Sequence, residues 1–128
     1  MITKAQARLQ AKACRLLGIA RSLLVDAEGW RALTGHNPSP RGQAKTQPPC
    51  AVFVPSRGTS ATLEIHVHEL LHVLFPSRAH WWITAAALKL TTGKLRYCYG
   101  RWCFPSDVPE SRAALLRLAH VAAKRKGL

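Results

Sequence analysis

The five residues His68-Glu69-Leu70-Leu71-His72 constrain this chain more than any other part of its sequence, because they form the pattern H-E-x-x-H. On a helix, residues four apart lie on one face about one turn apart. Two imidazoles with that spacing can bind one tetrahedral zinc ion, and the glutamate between them can take a proton from the water on the metal. The motif therefore predicts a helix and a metal centre together.

The residues around the motif repeat with the period of an amphipathic helix. At about 100° per residue, the apolar side chains fall within one arc and the polar side chains of the motif fall within another. Pro76 ends this helix, since proline cannot extend the hydrogen-bond ladder. Ser77 suits the N-cap of a second helix, from about Arg78 to Leu90, which stops at Gly93. His66 falls clearly in neither arc and is expected to be an ordinary surface or packing residue. The apolar arc consists of Leu63, Val67, Leu70, Leu71 and Leu74.

A third protein ligand is expected, because a catalytic zinc ion usually has three protein ligands and one open position. His80 lies in the first turn of the predicted second helix, where a short corner would place it over the motif. We therefore predict that His68, His72 and His80 bind zinc and that Glu69 is the catalytic base. The other His, Asp and Glu residues after the motif are Asp107, Glu110 and His120.

Residues 64–82 resemble the SprT-like group of zinc metallopeptidases. In that group a third histidine follows the H-E-x-x-H helix after a corner, close to an aromatic residue that opens the next helix. Here His80 and the pair Trp81-Trp82 occupy those positions. The resemblance implies a small zincin-like α+β fold, a bound zinc ion and the hydrolysis of peptide bonds in a protein or peptide substrate.

Two other classes of function remain open from the sequence. The motif side chains can form a structural polar face that binds no metal. Alternatively, the site can hold a metal that serves only stability, and such a metal would need a fourth ligand such as Cys98, Cys103 or Glu110. The protein would then be a basic nucleic-acid-binding or inhibitory module with a structural metal site. A metal-dependent nuclease or other hydrolase that uses the same three histidines is the third hypothesis.

The charge of the chain favours an anionic partner. Nineteen Lys and Arg against six Asp and Glu give a formal net charge of +13. Nucleic acid is the commonest polyanion in a cell, and each phosphate contact releases counterions and adds affinity. We therefore predict DNA or RNA as a partner and extend the expected substrates to proteins associated with nucleic acid; a solvated basic surface is the alternative. The candidate contacts are Lys4, Arg8, Lys12, Arg15, Lys124, Arg125 and Lys126.

Size and composition predict one globular domain inside the cell. The chain has 128 residues, of which 48% are hydrophobic, so it can bury a modest core. No apolar run approaches the roughly 20 residues that cross a bilayer, and the basic N-terminus lacks the apolar segment of a signal peptide. A cytoplasmic location is the default expectation, and the cysteines are expected to be reduced.

The remaining segments complete an α+β domain in which the metal-site helix and flanking helices pack on a short β-sheet. Residues 35–49 contain four prolines and predict a mobile loop beside the cleft. The predicted helices span residues 3–24, 26–33 and, after a cap at Ser106 or Asp107, the C-terminal segment to Lys126; the predicted strands span residues 50–54, 94–98 and 101–104.

Three smaller predictions concern the surroundings of the site. Cys98 and Cys103 enclose a short turn, and a structural thiol pair across a hairpin is favoured over half of a second zinc site. Tyr97 and Tyr99 are candidates to donate a hydrogen bond to a developing oxyanion, with packing as the favoured role. The strand at residues 50–54 is the candidate edge for pairing with an extended substrate.

Overall fold

The computed structural model describes residues 1–128 and contains five α-helices and two antiparallel sheets of two strands each. This confirms the α+β class, although the strands form two separate sheets in place of a single short sheet. None of the helices has the length and apolar character that a bilayer crossing requires. The elements in chain order are α1 (Lys4–Leu17), α2 (Ala27–Thr34), β1 (Gln43–Lys45), β2 (Ala51–Phe53), α3 (Leu63–Leu74), α4 (His80–Thr91), β3 (Arg96–Cys98), β4 (Arg101–Cys103), a 3-10 turn (Pro105–Asp107) and α5 (Arg112–Arg125).

The motif helix α3 lies at the centre of the core. It packs against α1 and α4, and a single cluster of 23 buried residues connects these helices with β2 and α5. Val67, Leu70 and Leu71 are at most 1% exposed, so the apolar arc predicted from the helical period is confirmed. Burying each of these side chains contributes about 1.5–3 kcal/mol, which fixes the helix that carries the motif.

Helix α1 is shorter than predicted. Thr3 and Gln6 form a capping box, in which the Thr3 hydroxyl accepts from the Gln6 N–H and the Gln6 side chain accepts from the Thr3 N–H. The helix ends at Gly18, which adopts φ +76°, so the prediction that it continues to Leu24 is wrong. Gly18 adopts the left-handed conformation that commonly ends a helix. The apolar residues after Gly18 continue the helical spacing but are not helical.

The corner between α3 and α4 differs from the prediction by two residues. The N–H of Arg78 donates to the carbonyl of Phe75 at 3.1 Å, which forms a turn. The predicted N-cap at Ser77 is therefore wrong; α4 begins at His80, with Ala79 as an N-cap that makes no side-chain hydrogen bond. This late start makes His80 the first residue of α4.

The last helix also begins later than predicted. The carboxylate of Asp107 accepts from the N–H of Phe104 at 2.9 Å and stabilises the 3-10 turn. Ser111, not Ser106 or Asp107, caps α5 through the N–H of Ala114. Asp107 and Ser111 thus cap two separate elements, the 3-10 turn and α5, which the pattern of capping residues alone does not distinguish.

The segment at residues 35–49, predicted to be an irregular loop, contains strand β1. Its register with β2 pairs Gln43 with Phe53 and Lys45 with Ala51. On its other side β2 bridges Leu24 through Val52. Because β2 has a partner on both sides, β1 provides the free edge, and the prediction that residues 50–54 offer an edge to substrate is wrong.

Candidate metal centre

Two helices and one corner bring three imidazoles together. His68 and His72 lie one turn apart on α3, and His80 begins α4 directly after the corner. Trp82 is buried and stacks edge-to-face on Phe75, with 5.5 Å between ring centroids, so the start of α4 is held against the end of α3. The corner therefore positions His80 through apolar packing.

The three side chains form a cluster that can bind a metal ion. The Nε2 atom of His68 lies 3.1 Å from the Nε2 of His72 and 3.1 Å from the Nε2 of His80. All three donor atoms lie within 4.8 Å of one another. Nitrogen ligands at 2.0–2.1 Å from a tetrahedral zinc ion are about 3.3 Å apart. The two distances from His68 are therefore close to those of a three-nitrogen metal site.

Burial keeps these imidazoles neutral. It lowers the pKa of His68 well below its ordinary value, and a proton on His72 or His80 would lower that pKa further. Burial lowers the pKa of His72 to about 4 and also lowers the pKa of His80. An imidazole must be neutral to bind a metal, so the rings are in the required protonation state at neutral pH.

Glu69 is buried beside the cluster without a cationic partner. The residue is 6% exposed, and none of the four ion pairs of the protein includes it. Burial raises the pKa of Glu69 to about 8. A divalent cation at the neighbouring imidazoles would favour the ionised carboxylate, so the carboxylate and the donor set both suit a metal ion.

Two side chains contact the Nδ1 atom of His80. The Thr84 hydroxyl and the Cys98 thiol each lie 3.5 Å from its Nδ1 atom. Thr84 is fully buried and donates its hydroxyl to the His80 carbonyl at 3.0 Å. These contacts surround Nδ1 while Nε2 points to the cluster, which is the ring orientation that metal binding requires.

A cavity of about 200 Å³ opens over the cluster. One wall is β1 with the residue before it, and Tyr99 at the tip of the β3–β4 hairpin lies opposite, with its ring centroid 4.6 Å from that of His80. Tyr97 points to the outer face of the hairpin opposite Trp102 and does not line the cavity. Gly42, Gln43, Ala44 and Thr46 were missed by sequence reasoning.

Gly42 contacts the site more closely than any other glycine. It adopts φ +111°, and a Cβ atom there would lie 2.8 Å from Glu69 Oε2. Only a residue without a side chain allows the backbone of this segment to approach the carboxylate so closely. The one sequence signal was a glycine in a proline-rich segment, which indicates a turn but not its neighbours.

The other candidate ligands lie elsewhere. Glu110 is paired with Arg78, and Asp107 caps the 3-10 turn. His120 contacts the carbonyl of Leu16 at 3.1 Å on α1. His66 is fully buried and its Nδ1 lies 2.7 Å from Gln10 Oε1, so it is a packing residue and not a surface residue.

Both hairpin cysteines are free, and they have different surroundings. Cys98 pairs with Arg101 across the hairpin and Cys103 pairs with Arg96, so the two thiols are not directly opposite each other. Cys103 is fully buried, whereas Cys98 contacts His80. Neither thiol belongs to the group of three ligand atoms.

Comparison with protein-family models, with curated proteins and with solved structures finds no match for this chain. The similarity of residues 64–82 to SprT-like metallopeptidases therefore stays a prediction from the motif. The geometry of the three imidazoles and Glu69 is the basis for a functional assignment.

Proposed function

We propose that this protein is a zinc-dependent metallopeptidase that cleaves extended peptide segments. The observation that carries the proposal is the convergence of three neutral imidazoles, from His68, His72 and His80, beside the buried carboxylate of Glu69. The set of three nitrogen donors leaves a fourth tetrahedral position for water or substrate, as in catalytic zinc sites.

Zinc is the proposed metal because two histidines in H-E-x-x-H with a third histidine nearby match the ligand pattern of catalytic zinc sites. Nitrogen donors suit zinc, copper, iron and nickel, whereas magnesium and calcium require oxygen ligands. Zinc held by this triad supplies Lewis acidity, which acidifies water and polarises a carbonyl group.

Glu69 is proposed to move the protons of the reaction. Its carboxylate accepts a proton from the attacking water and then donates that proton to the amine that leaves. The buried position removes competing solvent from the carboxylate, so that a proton taken up there is held for the leaving group. Tyr99, which lines the same cavity, is the proposed donor of a hydrogen bond to the oxyanion.

The free edge of β1 supports a polypeptide substrate. Gln43 and Ala44 line the cavity, and β1 pairs only with β2. An extended peptide can add to such an edge through main-chain hydrogen bonds without a particular sequence. His68 and Glu69 are each 6% exposed, so a segment must leave its own folded structure to reach them. We further propose that the enzyme acts inside the cell on proteins associated with nucleic acid.

Metal analysis combined with a base variant tests this proposal. We expect about one zinc per chain and cleavage of casein or of a quenched fluorescent peptide by the wild type. Glu69→Gln should retain the metal and lose at least about 10²-fold in rate, the lower range for general acid–base catalysis. Glu28→Gln is the matched control, because Glu28 is exposed on α2 and makes no ion pair.

Three outcomes would contradict the proposal. A wild type without stoichiometric metal removes its basis, and equal cleavage by Glu69→Gln and wild type removes the assigned base. Cleavage of DNA or RNA with no cleavage of casein would favour the nuclease hypothesis instead.

A structural metal is the second candidate, because Cys98 Sγ lies 3.9 Å from His80 Nε2. If Cys98 moves to become a fourth ligand, Cys98→Ser should weaken metal binding as strongly as His72→Ala, and the bound metal should leave only when the chain unfolds. If the site is open, Cys98→Ser should retain the metal.

A further inference from the structure

Helices α1 and α5 pack against each other and carry basic residues but no acidic residue. Four cations lie on α1, and five lie on α5 and its C-cap. All nine side chains are exposed. The cations are Lys4, Arg8, Lys12, Arg15, Arg112, Arg117, Lys124, Arg125 and Lys126.

The six acids of the chain do not neutralise this surface. Four of them make the four ion pairs of the protein, and none of those pairs includes a cation of α1 or α5. The other two are Glu69 at the metal cluster and Glu28 on α2. The positive charge of α1 and α5 is therefore left to solvent or to an anionic partner.

The surface contains a cleft of about 580 Å³ where α1, the end of α4 and the start of α5 meet. Lys12 and Arg15 line it from α1, and Arg112 lines it from the first residue of α5. The Arg112 guanidinium donates to the Leu90 carbonyl at 3.5 Å, which holds this side chain at the cleft. The acid next to the cleft in sequence, Glu64, is paired with Arg96.

We propose that this cleft binds phosphodiester groups of a nucleic-acid backbone, with Lys12, Arg15 and Arg112 as the contacts. Three cations from two helices surround one concave space, and a phosphate can accept hydrogen bonds from each of them. The basic side chains continue along α1, whose 14 residues span about 21 Å. A partner with several phosphates at intervals matches that length, whereas a single phosphate ion would contact only the cleft.

This proposal does not depend on the metal or on peptidase activity. The cleft lies at the C-terminal end of α4, whereas His80 lies at its N-terminal end. A twelve-residue helix separates the two ends by about 16 Å. Binding can therefore be measured on the Glu69→Gln protein in the presence of a chelator, and a failure of either proposal leaves the other untouched.

The test measures the anisotropy of a labelled DNA duplex over a range of salt concentrations. Each phosphate contact contributes about 0.9 to the slope of log affinity against log salt. The triple variant Lys12→Gln, Arg15→Gln, Arg112→Gln should lower that slope by about 3. At 0.1 M salt its affinity should fall on the order of 100-fold.

A control variant with the same loss of charge distinguishes contacts in the cleft from the effect of the net positive charge of the protein. Arg31→Gln, Arg41→Gln and Lys94→Gln combined remove three exposed cations that lie outside α1 and α5. This variant should keep the wild-type slope. Equal slopes and affinities for the two triple variants would overturn the proposal.

Two further measurements address unfolding of the triple variant and binding to membranes. If loss of Arg112 unfolds the start of α5, the double variant Lys12→Gln, Arg15→Gln retains the Leu90 contact and should lower the slope by about 2. Vesicles that contain phosphatidylserine test the other polyanionic surface of a cell. Tighter binding to these vesicles than to the duplex, lost in the same variants, would overturn the assignment to nucleic acid.

Discussion

Replacing Gly42 with alanine tests whether the close approach of this backbone to Glu69 matters for the site. Gly42 adopts φ +111°, and an added Cβ would lie 2.8 Å from Glu69 Oε2, 3.2 Å from Ile65 Cγ2 and 3.3 Å from the Phe53 carbonyl oxygen. An alanine held at positive φ costs about 1–3 kcal/mol. The crowding against Ile65 and Phe53 adds roughly 1 kcal/mol, the lower end of the cost of overpacking.

Gly58→Ala is the matched control, because Gly58 adopts φ +89° with no atom within 4 Å of its Cβ position. In urea unfolding, Gly58→Ala should lose about 1–3 kcal/mol from the backbone alone. Gly42→Ala should lose about 1 kcal/mol more, or roughly 3–5 °C in Tm for a chain of this size. Equal losses in the two variants would refute the crowding argument.

Gly42→Ala should also slow the proposed reaction, because the added methyl group would displace the carboxyl group of Glu69. A displacement of about 1 Å at a catalytic group can cost on the order of 10²-fold in rate. Both variants should retain the metal, because the three atoms nearest to the Gly42 Cβ position belong to Glu69, Ile65 and Phe53 and none belongs to an imidazole. Gly42→Ala with the activity of Gly58→Ala would refute the assigned position of the base.

Three further predictions concern metal, core and pH. Zinc at 1,000 times its Kd should stabilise the wild type by about 4 kcal/mol in thermal unfolding, and His72→Ala should remove this gain while His120→Ala keeps it. Leu70→Ala, at a fully buried position of α3, should lose about 2–5 kcal/mol in urea unfolding. Burial raises the pKa of Cys14 to about 11 from 9.0. Below pH 9 the thiol is neutral in the folded and unfolded states, and between pH 9 and 11 the unfolded state ionises first, so the free energy of unfolding falls as pH rises. Cys14→Ala should therefore flatten the decline of the urea midpoint between pH 9 and 11.

The residues of the histidine cluster were predictable because their positions follow from local sequence. The four-residue spacing of His68 and His72 requires only that α3 is a helix, and its apolar period ensures that. Pro76 places the corner soon after His72, and the apolar contact of Trp82 with Phe75 then fixes the direction of α4. His80 reaches the cluster although its helix begins two residues later than predicted.

The walls of the cavity were not predictable because they come from distant parts of the chain. Strand β1 has three residues, which is too short for an alternation of apolar and polar side chains, and its pairing with β2 depends on tertiary contacts. The end of α1 differs, because Gly18 is itself the local signal that ends the helix, and tertiary packing only adds to the requirement for glycine. A Cβ there would lie 2.8 Å from the His120 ring of α5, more than 100 residues away in sequence.

The two faces of α3 link the stability of the fold to the chemistry of the site. Its apolar face is the centre of the core, so the helix remains in place when the opposite face carries groups that oppose burial. A buried carboxylate with a pKa of about 8 is mostly neutral at pH 7, and in that form it cannot accept a proton. In the proposed reaction, a divalent cation among the three imidazoles would favour the ionised form, so metal binding would prepare the base as well as the water. Removal of a bound metal should therefore leave α3 packed while it abolishes the proposed proton transfer, because the apolar contacts of Val67, Leu70 and Leu71 do not involve the ligands.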